Sequence, residues 1–347
     1  MNGRPRPRKV RAAASRSHLG LPWVGRLKPR PGRSGGPRGR HLQIMAICAV
    51  IIAASVVAVI AAFSGKSAGG KPFDPAAPPL PSAPIRPGSY LGVYAPGVPA
   101  SYAGIRSFSE AAGIRPAAVV YYSGWQEPFQ TRFATTVVRH HAAPVVQIDP
   151  TDISLAAIAS GQYDAYLRSY AAAVKAFGHR VILSFGHEMN GHWYSWAHTH
   201  ASPAMFVAAW RHIVSTFRRQ GVTNVTWLWT VNVIDSRAGI PSPARWWPGS
   251  SYVTWVGIDG YYLKRSSTFA SLFGPTIKVI RALTLDRILI SETSAPAADQ
   301  PAKIADLFAG VRAYGLAGFV WFDAEGIRDW RLRGQAAFAA YRRGAGA

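Results

Sequence analysis

The chain has 347 residues, of which 49% are hydrophobic and 12% aromatic, and its formal net charge is +23. This length is enough for one large domain of about 250 residues with shorter flanking segments. The single cysteine, Cys48, excludes an intrachain disulfide framework and a zinc site built from cysteines. Residues 1–41 hold twelve Lys and Arg and no Asp or Glu, and their Arg, Pro and Gly content predicts a disordered basic tail.

An apolar run over residues 42–63 follows this tail, with Gln43 and Ser55 as its clearly polar members. The run is long enough to cross a bilayer as one helix. Because a basic flank marks the cytoplasmic side of such a helix, we predict a signal anchor that leaves the rest of the chain outside the cytoplasm. Cleavage of the anchor, which would give a secreted protein, is the alternative. The same charge asymmetry could also indicate nucleic-acid binding, but the membrane interpretation accounts for it, so we expect no nucleic-acid partner.

Residues 64–89 contain seven prolines and predict a semi-rigid extended linker. From residue 90 to residue 347, short apolar strands alternate with helical patterns. The predicted strands are Tyr90–Tyr94, Ala117–Tyr122, Pro144–Ile148, Val181–Phe185, Val225–Thr230, Val253–Asp259, Arg287–Ser291 and Gly318–Trp321. The predicted helices cover residues 156–177, 203–220, 268–283, 300–314 and 334–343, and the Pro- and Gly-rich crossover 231–252 is predicted to be mostly loop.

Eight strands with helical crossovers predict a (β/α)8 TIM barrel, an α/β fold. A doubly wound open sheet is the structural alternative. It would place a Gly-rich phosphate-binding turn after the first strand, and the segment 92–97 does not have that pattern.

The most informative segment follows the fourth predicted strand and reads His-Glu-Met-Asn-Gly-His-Trp-Tyr-Ser-Trp over residues 187–196. A carboxylic acid at the end of a strand can protonate a glycosidic oxygen, and flat aromatic rings can stack on sugar faces. The segment does not predict a metal site, since the place four residues after His187 on a zinc-binding helix is occupied here by Gly191.

A second carboxylate is needed for glycosidic chemistry, and catalytic residues of barrels lie at the carboxyl ends of the strands. Glu188 and Glu292 are the only glutamates at the predicted strand ends. Because the fourth and seventh strands lie across the barrel mouth from one another, we expect these two side chains to flank one glycosidic bond.

From Tyr90 to about Tyr341 the chain resembles glycoside hydrolase family 26, whose best-known members are β-mannanases. The resemblance rests on residues 187–191 with the aromatics after them, on Trp247-Pro248-Gly249 with the segment 257–261, on Ser291-Glu292, and more weakly on Trp321. The third strand departs from the family, because it ends in Gln147-Ile148-Asp149-Pro150 where relatives often have Trp-Glu-Pro. This departure bears on the substrate subsites more than on the chemistry.

The resemblance implies retaining hydrolysis without a cofactor or catalytic metal. Glu292 would be the nucleophile and Glu188 the acid/base, with Tyr261 hydrogen-bonded to Glu292. His187 and Asn190 would position Glu188 or a sugar hydroxyl. The remaining substrate-binding candidates are two stacking platforms, two further tryptophans on nearby loops, and one carboxylate at the rim: Trp193, Trp321, Trp125, Trp196 and Asp149.

The sequence thus predicts a membrane-anchored, monomeric glycoside hydrolase acting on a β-linked polysaccharide, with β-1,4-mannan as the first substrate to test. Two other functions remain open. One is a non-catalytic barrel that displays sugar affinity at the cell surface. The other is a wall-associated scaffold whose basic surface binds anionic polymers, since residues 86–347 hold 25 basic and 15 acidic side chains.

Overall fold

The computed structural model describes residues 86–346, and these form a closed barrel of eight parallel strands in chain order. The barrel closes where the first strand pairs with the last, with Tyr90 opposite Gly318 and Tyr94 opposite Phe322. The predicted (β/α)8 architecture is therefore confirmed for this part of the chain. The strands are β1 Tyr90–Tyr94, β2 Ala118–Gly124, β3 Ala143–Asp149, β4 Val181–Phe185, β5 Val225–Asn232, β6 Trp255–Asp259, β7 Arg287–Thr293 and β8 Gly318–Phe322.

Helices connect all but one pair of successive strands within the described residues. They are α1 Ala103–Ala112, α2 Thr131–Arg139, α3 Leu155–Ala159, α4 Asp164–Phe177, α5 Pro203–Arg219, α6 Phe269–Leu283, α7 Gln300–Ala313 and, after the last strand, α8 Gln335–Gly346. The predicted loop between β5 and β6 contains only the short 3-10 helices Ser236–Ala238, Pro243–Trp246 and Ser250–Tyr252, and a fourth, Ala297–Asp299, precedes α7.

Local sequence explains where these helices begin. Ser202 accepts a hydrogen bond from the amide of Met205 at 3.3 Å, and Pro203 occupies the first turn of α5, where its missing N–H is not needed. The prediction of one helix over residues 156–177 is wrong in one respect. Gly161 has φ of +86°, a left-handed conformation that interrupts the helix and divides it into α3 and α4.

The strands bury side chains on both faces. One set, including Val120, Ile182 and Leu289, fills the barrel interior, and residues of the opposite phase, such as Val119 and Leu183, pack in the core beneath the helices. Near the carboxyl ends the interior becomes polar, with Ser184 donating a 3.0 Å hydrogen bond to Thr230, and Ser291 donating one of 2.5 Å to Asp259. The polar layer lies directly below the strand ends, where catalytic groups of barrels are found.

Gly257 on β6 makes room for this polar layer. A Cβ at this position would lie 2.7 Å from the hydroxyl oxygen of Thr230 and closer still to that of Ser291. Any other residue would therefore displace the neighbouring polar side chains of β5 and β7.

A β-bulge in β7 determines which way Glu292 points. Gly257 pairs with Leu289, whereas Asp259, two residues later on β6, pairs with Glu292, three residues later on β7. The extra residue lets Ser291 and Glu292 both face the barrel interior, although successive residues of a regular strand face opposite sides.

The predictions for the tail (1–41), the membrane anchor (42–63) and nearly all of the linker (64–89) concern residues outside the described part. Among residues 86–346, no helix is long and apolar enough to cross a membrane.

Candidate active site

Glu188 lies on a tight turn that begins directly after β4. Gly186 and Glu188 both have φ of +54°, which is uncommon for a residue with a side chain. The backbone N–H of Glu188 donates to the carbonyl of Thr230 on β5 at 3.0 Å, and its carbonyl accepts from Gly191 at 2.8 Å. These bonds hold the left-handed conformation and direct the carboxyl group over the end of the barrel.

Two donors hold the buried carboxyl group of Glu188, which is 6% exposed. The indole N–H of Trp193 donates to Oε2 at 2.8 Å, and the side-chain amide of Asn232 donates to Oε1. The Trp193 ring lies over Gly191, where a Cβ would come within 2.5 Å of the ring. Trp193 is thus a direct partner of the acid in addition to its predicted role as a sugar platform.

Asn190, predicted to position Glu188 or a sugar hydroxyl, makes no hydrogen bond to the Glu188 carboxyl group within the described residues. Its side chain is fully buried and bonds the backbone of Asn232 in both directions, at 2.9 Å each, and the carbonyl of Pro241 at 3.1 Å. These bonds use its amide donors and its carbonyl oxygen, so Asn190 acts on Glu188 only through Asn232.

The environment of Glu188 makes it a weak acid. Burial and the charge of Glu292 raise its pKa to about 7, against the opposing effects of the His187 charge and of the hydrogen bonds from Asn232 and Trp193. A carboxylic acid with this pKa can give up a proton and take one back near neutral pH.

Glu292 is held by two phenols and is half-buried. Tyr261 donates to its Oε1, as predicted, and Tyr122 donates to its Oε2. Burial and the Glu292 carboxylate hold the pKa of both tyrosines well above the ordinary value of 10, so both remain protonated donors. The second carboxyl group is thereby fixed in orientation, with each oxygen accepting one hydrogen bond.

Asp259 links the two glutamates through the sheet. It pairs in register with Asn232 on one side and with Glu292 on the other. It is fully buried, and burial together with the charges of Glu292 and Glu188 holds its pKa well above its usual range. The neutral acid is favoured at this position, which limits the repulsion among three neighbouring carboxyl groups.

His187 forms a buried ion pair beside Glu188. Its Nδ1 lies 2.9 Å from a carboxylate oxygen of Asp149, and its Nε2 lies 3.0 Å from the hydroxyl of Tyr194. Burial lowers the pKa of His187, but Asp149 above all, with Glu188 and Asp259, raises it to about 10. A doubly protonated ring donates at both nitrogens, which leaves the Tyr194 proton free to point elsewhere.

Two predicted sugar platforms are buried instead. Trp321 is 1% exposed and packs edge-on against Tyr341 of α8, because this position of β8 faces the helical layer and not the barrel mouth. Trp196 is also 1% exposed, stacks beneath Tyr194 at 4.3 Å and donates to the carbonyl of His187 at 2.8 Å. Neither tryptophan presents a face to a substrate, so both predictions are corrected.

Trp125 is half-buried and directly follows β2. Its ring packs edge-on against Tyr166 and Phe185, and no hydrogen bond in the described part of the chain joins it to a carboxyl group of the mouth. Its role in substrate binding stays a prediction. Nor do residues 86–346 contain a cluster of three or more His, Cys, Asp or Glu side chains suited to a metal ion.

Three residues beside Glu188 and Glu292 were given no role by the sequence. Two contact a glutamate directly, and the third lies on the strand between β5 and β7. Tyr122 is the last residue of its predicted strand, and only the closed barrel brings it to Glu292, 170 positions away. Asn232 and Asp259 were recognisable as polar strand ends, but their partners follow from strand register. The sequence signal that could have identified these residues is that polar side chains stand at the ends of several predicted strands, which meet at one mouth of the barrel.

Comparison with known proteins agrees with this geometry. Residues 162–314 match the model of glycosyl hydrolase family 26. Endoglucanase H of Acetivibrio thermocellus is 30% identical over 268 residues, which cover 72% of this chain and 30% of that protein. The chain therefore spans less than a third of the length of this curated relative.

Solved structures share the fold at low identity. An endo-β-1,4-mannanase from Cellulomonas fimi has a TM-score of 0.56 and 16% identity, covering 69% of this chain and 65% of that one. A β-mannanase of family 26 from Bacteroides ovatus has a TM-score of 0.54 and 15% identity, covering 75% and 89%. Together with the family model and the curated relative, these similarities confirm the resemblance to glycoside hydrolase family 26 that the sequence indicated.

Proposed function

We propose that the protein hydrolyses a β-linked polysaccharide with retention of configuration, using Glu292 as the nucleophile and Glu188 as the acid/base. The observation that supports this most is the pairing of a buried acid of pKa about 7 with a second carboxylate held by two phenols. This is the division of roles that a double displacement requires.

In the first step, Glu188 donates its proton to the glycosidic oxygen as Glu292 attacks the anomeric carbon and the leaving sugar departs. The charge of Glu292 is lost in the resulting ester, and with it the main electrostatic cause of the raised Glu188 pKa. Glu188 then accepts a proton from the water that hydrolyses the ester. Tyr122 and Tyr261 hold the Glu292 carboxylate in line for attack and receive it again when the ester is cleaved.

We propose β-1,4-mannan as the first substrate, because the structural neighbours from Cellulomonas fimi and Bacteroides ovatus are described as mannanases. A β-glucan is the second candidate, because the more similar relative by sequence is described as an endoglucanase. Loops around the mouth set this choice, and the departure at Asp149 from the family pattern lies next to His187 in that region.

A polysaccharide panel tests activity, substrate and stereochemistry together. The protein is incubated with β-mannan, β-glucan and xylan, reducing ends are measured, and the first-formed anomer is identified by NMR. We expect product from mannan or glucan with the β-anomer formed first. Binding without product would favour a non-catalytic sugar-binding barrel, and an α-anomer formed first would contradict the double displacement.

Two variants separate the roles of the glutamates. Glu188→Ala should lose polysaccharide hydrolysis but still release a good leaving group from an activated aryl glycoside, since that departure needs no acid. Glu292→Ala should lose both reactions. Glu325→Ala is the control, because within residues 86–346 this exposed glutamate forms its one ion pair with Arg331, and the variant should keep full activity. Near-normal polysaccharide turnover by either active-site variant would remove that residue from the mechanism.

We also propose that the barrel acts outside the cytoplasm, held by residues 42–63 or released by cleavage after them. The support is the apolar run with its basic flank. Protease added to intact cells should digest the barrel of an anchored protein but leave it untouched if it lies inside.

A further inference from the structure

A basic cleft lies on the barrel away from the two glutamates. Its cavity of about 360 Å³ is formed between α1 and the segments that lead into β2 and β3. These segments lie at the amino-terminal ends of the strands, whereas Glu188 and Glu292 lie at the carboxyl ends. The side chains that give the cleft its character, here called the arginine cleft, are Tyr102, Arg106, Arg115, Arg139, His140 and His141.

The charges of the arginine cleft are not balanced within the described residues. Three exposed guanidinium groups face the cavity, and Glu110 is its only carboxylate. In residues 86–346, none of the three arginine side chains makes an ion pair or a hydrogen bond. By contrast, Arg331 and Arg333 on another part of the barrel both pair with Asp329. Like charges that converge without a partner favour the binding of an anion between them.

Contacts within the protein hold the residues that form the wall of the cleft. The ring of Tyr102 stacks on His140 with centroids 4.3 Å apart and planes 6° apart, which fixes the imidazole beside the arginines. His141 adopts a left-handed φ of +61°, and its N–H donates to the carbonyl of Val138 at 2.8 Å. This turn ends α2 and directs the chain back into β3, so the two histidines stay at the edge of the cleft.

Guanidinium groups suit phosphate because their N–H donors match its oxygens two at a time. The cleft is larger than one phosphate ion and holds three such groups, one from α1, one from the segment that leads into β2 and one from the end of α2, which suits successive phosphates of a chain. We propose that the arginine cleft binds a phosphate-bearing polymer, and that this contact holds the barrel on an anionic surface polymer while the mouth stays open to its own substrate. The inference does not depend on hydrolytic activity.

The test compares two triple variants of the full-length chain that lose the same charge. Arg106→Gln/Arg115→Gln/Arg139→Gln removes the cleft arginines. The matched control replaces three exposed cations that make no side-chain hydrogen bond or ion pair in the described residues: Arg180→Gln/Lys278→Gln/Arg343→Gln. Binding of linear polyphosphate is measured across a salt series, and thermal unfolding verifies that each variant is folded.

We expect the cleft variant to bind polyphosphate about tenfold more weakly with a shallower salt dependence, since three exposed ionic contacts are lost. The control triple should change the affinity by less than about twofold. An equal loss in both triples, or none in the cleft variant, would overturn the proposal, because only the total charge would then matter. A second arm uses vesicles containing an anionic phospholipid. If the cleft variant loses vesicle binding but binds polyphosphate as before, the cleft binds a lipid surface, and the proposal of a polymer ligand is overturned.

Discussion

Replacing Trp193 by Phe removes one hydrogen bond from Glu188 and keeps an aromatic ring over Gly191. The indole N–H donates to the Glu188 carboxylate at 2.8 Å and is one of the contacts that lower the pKa of this acid. A hydrogen bond to a charged group contributes about 1.5–3 kcal/mol, and one between neutral groups about 0.5–1.5 kcal/mol. Losing the bond therefore disfavours the ionised form by about 1–1.5 kcal/mol relative to the protonated form.

This difference corresponds to about one pH unit, since one unit equals about 1.4 kcal/mol. The pKa of Glu188 should rise from about 7 in the natural protein to about 8 in the variant. Because the proposed reaction needs Glu188 protonated, the alkaline limb of kcat/KM should move to higher pH by the same amount.

The assay is kcat/KM on a soluble oligosaccharide between pH 5 and pH 10. We expect Trp193→Phe to be less active at its best pH but to keep a larger fraction of that activity at pH 8. Trp125→Phe is the control, since no hydrogen bond in the described residues joins Trp125 to Glu188, and its limb should not move. If the Trp193→Phe limb stays near pH 7 or shifts to lower pH, the assignment of Glu188 as the acid controlled by this bond is refuted.

Three further outcomes are expected. Asp149→Asn should lower the pKa of His187 from about 10, so NMR titration should find a neutral ring at pH 8. Because the His187 pKa is higher in the folded chain, protonation of His187 stabilises the fold fully below pH 6.5, and this stabilisation is lost as the pH rises through about 10. Asp149→Asn should therefore lower the free energy of unfolding more at pH 6 than above pH 10. An equal loss at both pH values would contradict this. Trp321→Ala should cost about 3–5 kcal/mol in urea unfolding, while Trp321→Phe should leave KM unchanged; a raised KM would restore a role in binding. Glu188→Gly and Glu188→Ala should both be inactive, but the glycine variant should be about 1 kcal/mol more stable, because φ of +54° strains alanine; equal stabilities would show that the turn relaxes.

The sequence predicted the barrel and the places of both glutamates at strand ends, because each depends on short-range patterns. Apolar runs such as Val181–Phe185 are buried on both faces, and the polar residue that ends such a run must lie at the carboxyl end of a strand. The order of the strands then follows from chain order in a barrel, so Glu188 and Glu292 could be placed on the same face from the sequence.

What the sequence could not predict depends on which way a side chain faces. Trp321 and Phe322 are neighbours on β8, yet Trp321 packs against Tyr341 and Phe322 stacks on Tyr94 at 4.7 Å. To decide which of the two side chains faces the barrel interior, one must know which alternate residues of β8 point inward. An apolar run that is buried on both faces does not reveal this. The β7 bulge adds a second difficulty, since in a regular strand Ser291 and Glu292 could not both face inward.

The mouth holds four acidic side chains, and each has its own surroundings. Asp149 pairs with the protonated His187, Asp259 is driven toward its neutral form by burial, and Glu292 accepts hydrogen bonds from two phenols. Burial and the charge of Glu292 raise the pKa of Glu188 to about 7. In the proposed reaction, formation of the ester removes the Glu292 charge that raises the pKa of Glu188, and cleavage of the ester restores that charge, so the two steps would switch Glu188 from acid to base and back.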